Sequence, residues 1–260
     1  MLSIIIPTMQ KDTDVLHKLL EELDIDDNVA EIIVIDNSTV GFDHNYKKVK
    51  VFVQNRNLFV NPAWNLGIKL SSSDIKFFGI LNDDIIFPRN LFKAVNKFLE
   101  TSNEKVGLIG IDCIDNTPKK EFDTYPEDSN LKFESIDKLS GFWGSAFFGD
   151  KQHYFEIPNE IKIFYGDHFL FKRNQQAGRK NFKITNIKVK HLESLTSHSS
   201  SFMQKLFKSD RKYCIKYNGV EHQNLSFIQR MLSLTYYHEH YVFCFLGLKL
   251  KIKYHKVSRV

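Results

Sequence analysis

Four short apolar runs, each cut off by polar residues, constrain this chain most. Residues 2–6 (LSIII) stop at Pro7-Thr8, and residues 31–36 (EIIVID) end at Asn37-Ser38. Residues 48–53 lead to Asn55-Arg56-Asn57, and residues 75–81 to Asn82-Asp83-Asp84. Runs of five to seven β-branched and aromatic residues read as strands buried on both faces. Between them lie helical patterns. In residues 12–24 the apolar positions Val15, Leu16, Leu19, Leu20 and Leu23 repeat at helical spacing, with Asp12 or Thr13 as cap. Residues 62–70 and 90–99 read as two more helices, the latter capped by Asn90, and residues 106–111 (VGLIGI) as a fifth strand. Alternating strands and helices predict an α/β fold: a mostly parallel sheet with helices on both faces. In such sheets ligands bind beyond the carboxyl ends of the strands, where all four polar clusters fall.

The pattern changes after residue 111. Residues 112–140 are polar and turn-rich. Residues 141–149 (GFWGSAFFG) read as a strand, 166–173 (GDHFLFKR) as a short helix, and 182–189 as strand leading into His191. Residues 201–236 read as mainly helical. The sequence shows no repeat and no linker, so 260 residues are taken as one domain: 1–111 as a first half, 112–200 as a smaller mixed part, and 201–260 as a basic, helical extension.

Charge and cysteine usage narrow the setting. Residues 201–260 hold 11 Lys/Arg and 3 Asp/Glu, a balance of +8, against 25 and 28 in residues 1–200. Such an end either meets something anionic or is a solvated basic face. Cys113, Cys214 and Cys244 are scattered and odd in number, which fits neither a disulfide framework nor a zinc site and points to a reducing, cytoplasmic setting. No apolar stretch reaches the ~20 residues of a membrane helix, and the N-terminal run lacks a signal peptide's basic flank.

Adjacent carboxylates at a strand end repel each other unless a positive charge stands by. Oxygen ligands of this kind suit Mg²⁺ or Mn²⁺, which complete their shells with substrate phosphates and water. Asn82-Asp83-Asp84 therefore reads as a metal–diphosphate anchor; a plain Asn/Asp turn is the other reading. Asp167 is either a general base or the N-cap of its helix. Trp64 reads as core and Trp143, among small residues, as a binding surface.

Taken together, SIIIPT, EIIVIDNS, NRNLFVNPAWNLGIK and FFGILNDDIIF resemble, in order and spacing, the nucleotide-sugar glycosyltransferases of the GT-A fold, in particular family 2 and a bacterial or phage subgroup with VNPAWNLG and LNDD. The resemblance covers residues 1–111 and, more loosely, 141–197. It implies that Pro7 and Thr8 border the nucleotide, that Asp36 contacts base or ribose, and that Asn57 and Asn65 line the nucleotide and sugar side. Asn82 takes the first position of the family's D-x-D motif, Asp83 becomes a sugar contact and Asp84 the metal ligand. Asp167 stands at the catalytic base, with Gly166 in place of a commoner acidic residue. His191 resembles a further metal ligand, better suited to Mn²⁺ than to Mg²⁺, and Ser194, Thr196 and Ser197 could touch the diphosphate.

What the resemblance implies is a metal-dependent, inverting transfer of a sugar from a nucleotide sugar, UDP foremost, to a hydroxyl. The acceptor is expected to be a saccharide at an anionic membrane surface, with the protein cytoplasmic or peripheral to the inner membrane. Phage DNA carrying a hydroxymethylated base is the second choice. A non-catalytic binding module on the same fold is the alternative, supported by the Asn82 and Gly166 departures. A nucleotidyltransferase fits less well, because IPTMQKD lacks a phosphate-cradling glycine.

Overall fold

The computed structural model describes residues 1–114, 117–119, 130–139, 143–192 and 200–218 with their side chains, and the backbone of 232–237, 240–245 and 248–253. By compactness it forms two units, Met1–Gly219 and Val220–Val260. Among the described residues the first holds nine strands and five α-helices: β1 (Leu2–Thr8), α1 (Thr13–Ile25), β2 (Val29–Asp36), β3 (Val49–Val53), α2 (Val60–Leu70), β4 (Phe77–Leu81), β5 (Ile85–Ile86), α3 (Leu91–Thr101), β6 (Val106–Ile114), β7 (Phe133–Ile136), β8 (Ala146–Asp150), α4 (Gly166–Gln176), β9 (Lys180–His191) and α5 (Ser201–Asn218).

These strands form one sheet in the order β3-β2-β1-β4-β8-β6-β9-β5, with β7 on β9. β3, β2, β1 and β4 are parallel. β8 runs antiparallel to both β4 and β6, so β6 points the same way as β4 across a reversed strand. The sheet is thus mixed beyond β4.

Fully apolar strands still alternate, and here each face feeds its own core. Leu2, Ile4 and Ile6 of β1, with Ile32 and Val34 of β2, pack with Leu16, Leu19, Leu20 and Leu23 of α1 and Leu91, Phe92 and Val95 of α3. Ile5, Ile33 and Ile35 face the other way, onto Ala63 and Trp64 of α2, Phe169 and Leu170 of α4 and Cys214 of α5. Each such aliphatic side chain contributes about 2–3 kcal/mol by burial. The Asp12 side chain caps α1 by accepting from Val15 N, as its position suggests; Asn90 makes no capping bond to α3.

Three expectations are corrected. Residues 112–114 and 133–136 are strand where turns were read, because β6 and β7 both pair with the long β9. Trp143 is fully buried rather than a binding surface. Its ring lies where a Cβ on Gly110 would stand, 1.8 Å away, and meets Phe171 edge-on at 5.5 Å. The helical reading of residues 201–236 holds only to Asn218. In the second unit β10 (Leu232–Tyr237), β11 (His240–Phe245) and β12 (Leu248–Lys253) form an antiparallel sheet, as the period-two alternation of LKLKIK would favour. Residues 193–199, with Ser194, Thr196 and Ser197, and the 219–231 part of the helical reading lie outside the described residues. No helix among the described residues is long and apolar enough to cross a membrane.

Candidate active site

The strand ends meet at one edge of the sheet because register puts them there. Thr8 is level with Asp36, and Asp36 with Val53. β8 begins where β4 ends, so Ala146 pairs with Leu81 and Asn82 N donates to Ser145 O at 2.9 Å. The short β5 pairs with the end of β9, Ile85 opposite His191, which brings the imidazole to the acidic turn.

There His191 Nε2 stands 3.0 Å from Asp84 Oδ1 and 3.2 Å from Asn82 Nδ2. The ring is buried, and Leu192 N donates to the Asp84 carbonyl at 3.0 Å. A single ring nitrogen cannot accept from Asn82 and donate to Asp84 at once. A cation shared by the nitrogen and the carboxylate would take the place of a proton between them. The donor set fits a small divalent ion. Neighbouring ligands of an octahedral ion with bonds of about 2.1 Å lie about 3.0 Å apart, which is the Asp84–His191 separation. Among the described residues no three or more His, Cys, Asp or Glu gather to hold a metal. The protein would thus supply two donors and leave positions for phosphate oxygens and water.

Asp83 turns to the other side. Thr8 Oγ1 donates to its Oδ2 at 2.5 Å, and Gln10 N donates to the same Thr8 hydroxyl at 2.8 Å. Loss of hydration, and then repulsion from Asp84, push the Asp83 carboxyl up to about 6, with the Thr8 bond opposing the shift. Pro7, the residue before Thr8, is buried in β1 opposite Ile35.

The end of β2 departs from the expected contact. Asp36 is fully buried and its carboxylate is occupied: Oδ1 accepts from Ser38 N at 2.8 Å, and Oδ2 from Gly41 N and Gln10 Nε2, both at 2.8 Å. Asp36 therefore shapes the loop and ties Gln10 into it. Gln10 also donates to Ser38 Oγ at 2.9 Å and has φ +52°. Sequence reasoning passed over it; its place two residues past the first strand end was the available signal.

The two asparagines read as crevice lining have partners within the protein. Exposed Asn57 accepts from Phe59 N at 2.7 Å and so secures the positive-φ turn into α2. Asn65 is buried, far from the strand ends in its contacts. It donates to Ile157 O at 2.7 Å and accepts from Ile157 N at 3.0 Å and Tyr154 OH at 2.9 Å. Three of the four hydrogen bonds its amide can make go to residues 154–157, which α2 thereby holds.

Asp167 opens α4 and is buried. Tyr165 is the N-cap, so Asp167 sits inside the first turn rather than capping the helix. Its Oδ2 accepts from Trp143 N at 3.0 Å; its Oδ1 accepts from His168 N at 2.8 Å and lies 2.9 Å from His168 Nδ1. Burial opposes its ionisation. The His168 bond and charge and the two N–H groups outweigh that and hold the carboxyl below the usual range. Trp143 and Ser145 thus tie Asp167 and Asn82 to one turn before β8. Gly166 has a physical reason to be glycine. A Cβ there would lie 2.1 Å from Asn61 Oδ1 and 2.7 Å from the Trp64 ring, both from the NPAW helix. The acidic residue expected at 166 and this α2 sequence exclude each other.

The family profile described as Glycosyl transferase family 2 matches residues 3–174, which span every element from β1 to α4. No curated protein matches the chain significantly. Among solved structures, Staphylococcus aureus TarS 1–349 in complex with UDP-GlcNAc aligns with TM-score 0.53 at 13% identity, over 85% of this chain and 67% of that one. Glucosyl-3-phosphoglycerate synthase from Mycobacterium tuberculosis, in complex with Mn²⁺, UDP and glucosyl-3-phosphoglycerate, aligns with TM-score 0.53 at 10% identity, over 98% of this chain and 88% of that one. At such identities the likeness is one of fold, and the fold is GT-A. With two thirds of its length matched by the family profile, the chain belongs to the family 2 glycosyltransferases.

Proposed function

We propose that this glycosyltransferase moves a sugar from a UDP-sugar to a saccharide hydroxyl by a single, inverting displacement, with Mn²⁺ or Mg²⁺ held by Asp84 and His191. The observation that carries this reading is the 3.0 Å Asp84–His191 pair at the strand edge, joined through one turn to a carboxylate held in its charged form. A bound divalent ion would neutralise charge on the departing diphosphate. Thr8, Asp83 and Gln10 line the same edge and would orient the nucleotide sugar. Asp167 receives the acceptor proton as the acceptor oxygen bonds to the anomeric carbon and the bond to the diphosphate breaks. A carboxylate kept below its ordinary pKa stays ionised at neutral pH. It is a weak base, so it takes the proton only as the new bond makes the hydroxyl acidic.

The acceptor follows from charge. Lys205, Lys208, Lys212 and Lys216 recur at helical spacing on α5 and are exposed, which suits an acceptor displayed at an anionic membrane surface. That surface would make the protein peripheral to the membrane.

The test is thermal shift and product formation with a panel of nucleotide sugars, with and without Mn²⁺. A ligand that binds the folded state raises Tm by mass action. We expect one UDP-sugar to stabilise the protein only with metal, and Asp84→Ala to abolish both that shift and transfer, lowering turnover about 10³-fold. No shift with any donor in folded protein would sink the reading in favour of a binding module. Transfer to hydroxymethylated DNA but not to a glycan would overturn the acceptor.

A further inference from the structure

Asp210 has surroundings that packing alone does not explain. It lies on the inner face of α5 and is fully buried, and among the described residues no cation pairs with it. Its Oδ2 accepts two backbone N–H groups, from Ile163 at 2.8 Å and Phe164 at 2.9 Å. Its Oδ1 has no partner. A carboxylate so enclosed and so poorly satisfied is costly to bury. An apolar residue would fill the space more cheaply, so the two N–H groups are what the side-chain oxygen is there to hold.

Those N–H groups belong to the loop that enters α4. The loop is gripped from its other side by α2: Asn61 N donates to Lys162 O at 2.9 Å, and Asn61 Nδ2 to Ile161 O at 3.2 Å and Phe164 O at 3.3 Å. Phe207, one turn before Asp210, meets the rings of Phe164 and Tyr165, each at 5.2 Å. The next residue, Tyr165, is bent into the left-handed region at φ 63°, ψ 9°, a conformation an aromatic residue keeps only when its neighbours impose it. Two residues further on stands Asp167.

We propose that Asp210 is a positioning residue for sugar transfer: by holding the backbone of 163–164 it imposes the Tyr165 turn, which sets the direction of the Asp167 carboxylate. The inference rests on Asp167 acting as the base. It makes α5, which lies beyond residues 3–174 of the family match, part of the catalytic apparatus. Misplacing a base by a fraction of an ångström costs rate while leaving donor binding intact. That separates positioning from a general structural role.

The experiment compares Asp210→Ala, Asp210→Asn and Asp167→Asn in the full chain, with kcat, donor KM and donor-induced thermal shift measured for each. We expect Asp210→Ala to lower kcat about tenfold or more with donor KM and thermal shift unchanged. Asp210→Asn should stay within about threefold of the parent, because an amide oxygen still accepts both N–H groups. If Ala does not fold, Asp210→Gln replaces it, with its oxygen one methylene out of place and the same expected loss. An inactive Asp167→Asn beside an Asp210→Ala with parental kcat overturns this inference alone. An equal loss in Asp210→Asn and Asp210→Ala overturns it too. An active Asp167→Asn overturns the base assignment and this inference with it.

Discussion

The end of β4 and the start of α4 each hold a carboxylate, half-buried Asp83 and buried Asp167, and the two are treated in opposite ways. Asp83 has a like charge next to it, and the Thr8 hydroxyl and two backbone N–H groups, its own and that of Met9, do not offset that charge and the loss of hydration, so its carboxyl rises to about 6. Asp167 has an imidazole and two backbone N–H groups, and its carboxyl falls below the ordinary range. Burial pushes both upward; the partners decide which way each ends. The comparison shows a division of labour. The strand edge keeps two like charges side by side, which suits a place that takes up a cation. The helix start is fully satisfied, which suits a group that must remain charged and fixed.

Asp167→Asn should have the largest effect. Transfer falls about 10²–10⁴-fold, and at neutral pH the protein loses about 1–3 kcal/mol, because an amide cannot accept from all of the donors facing it. A depressed carboxyl stabilises the fold above its unfolded pKa, near the ordinary 3.8, and that contribution fades as pH drops through the lower folded value. The stability difference between variant and parent should therefore shrink in acid, as denaturant titrations across pH would show.

Gly166→Glu comes next. The new Cβ collides with Asn61 and Trp64, so we expect a loss of about 3 kcal/mol or failure to fold. Pairing it with Asn61→Gly should recover part of the loss; no recovery would break the coupling between α2 and the helix start.

Asp83→Asn should act with the opposite sign. Asp83 titrates at about 6 when folded, against 3.8 ordinarily, so its contribution is most favourable below pH 4 and is lost as pH rises through 6. The Thr8 hydroxyl can still donate to the amide oxygen. The variant should be more stable than the parent by about 2 kcal/mol at pH 8, with the gain vanishing near pH 4. A destabilised Asp83→Asn at pH 8 would mean that the strand edge is satisfied after all, and the contrast with Asp167 would collapse.

Much of the first half was legible in residue order, because its elements depend on local pattern. The runs LSIII and EIIVID announce strands, the Val15–Leu23 spacing announces α1, and the polar residues after each run sit at strand ends by necessity. The clustering of Asn82, Asp84 and His191 was legible only through the family resemblance. The 109 positions from Asn82 to His191 are bridged by the β5–β9 pairing, and the two-residue strand that makes it is too short for any periodicity. Single polar residues are the hardest to read. Asn57, Asn65 and Asp36 have the chemistry of ligands, but a backbone N–H nearby competes for the same oxygen, and nothing in the sequence shows which partner is nearer.

The sequence by itself determined the alternation of apolar strands and amphipathic helices, hence a sheet covered on both faces with polar residues along one edge. Only the tertiary structure decided that β8 enters the sheet reversed and delivers Trp143 and Ser145 to the site. It alone showed that Gly166 answers to Asn61 and Trp64, and that Asp210 reaches back to the loop before Asp167. The physical reason is range. Period and propensity act over a few residues, whereas register, steric exclusion and the sharing of hydrogen-bond donors depend on groups brought together from distant parts of the chain.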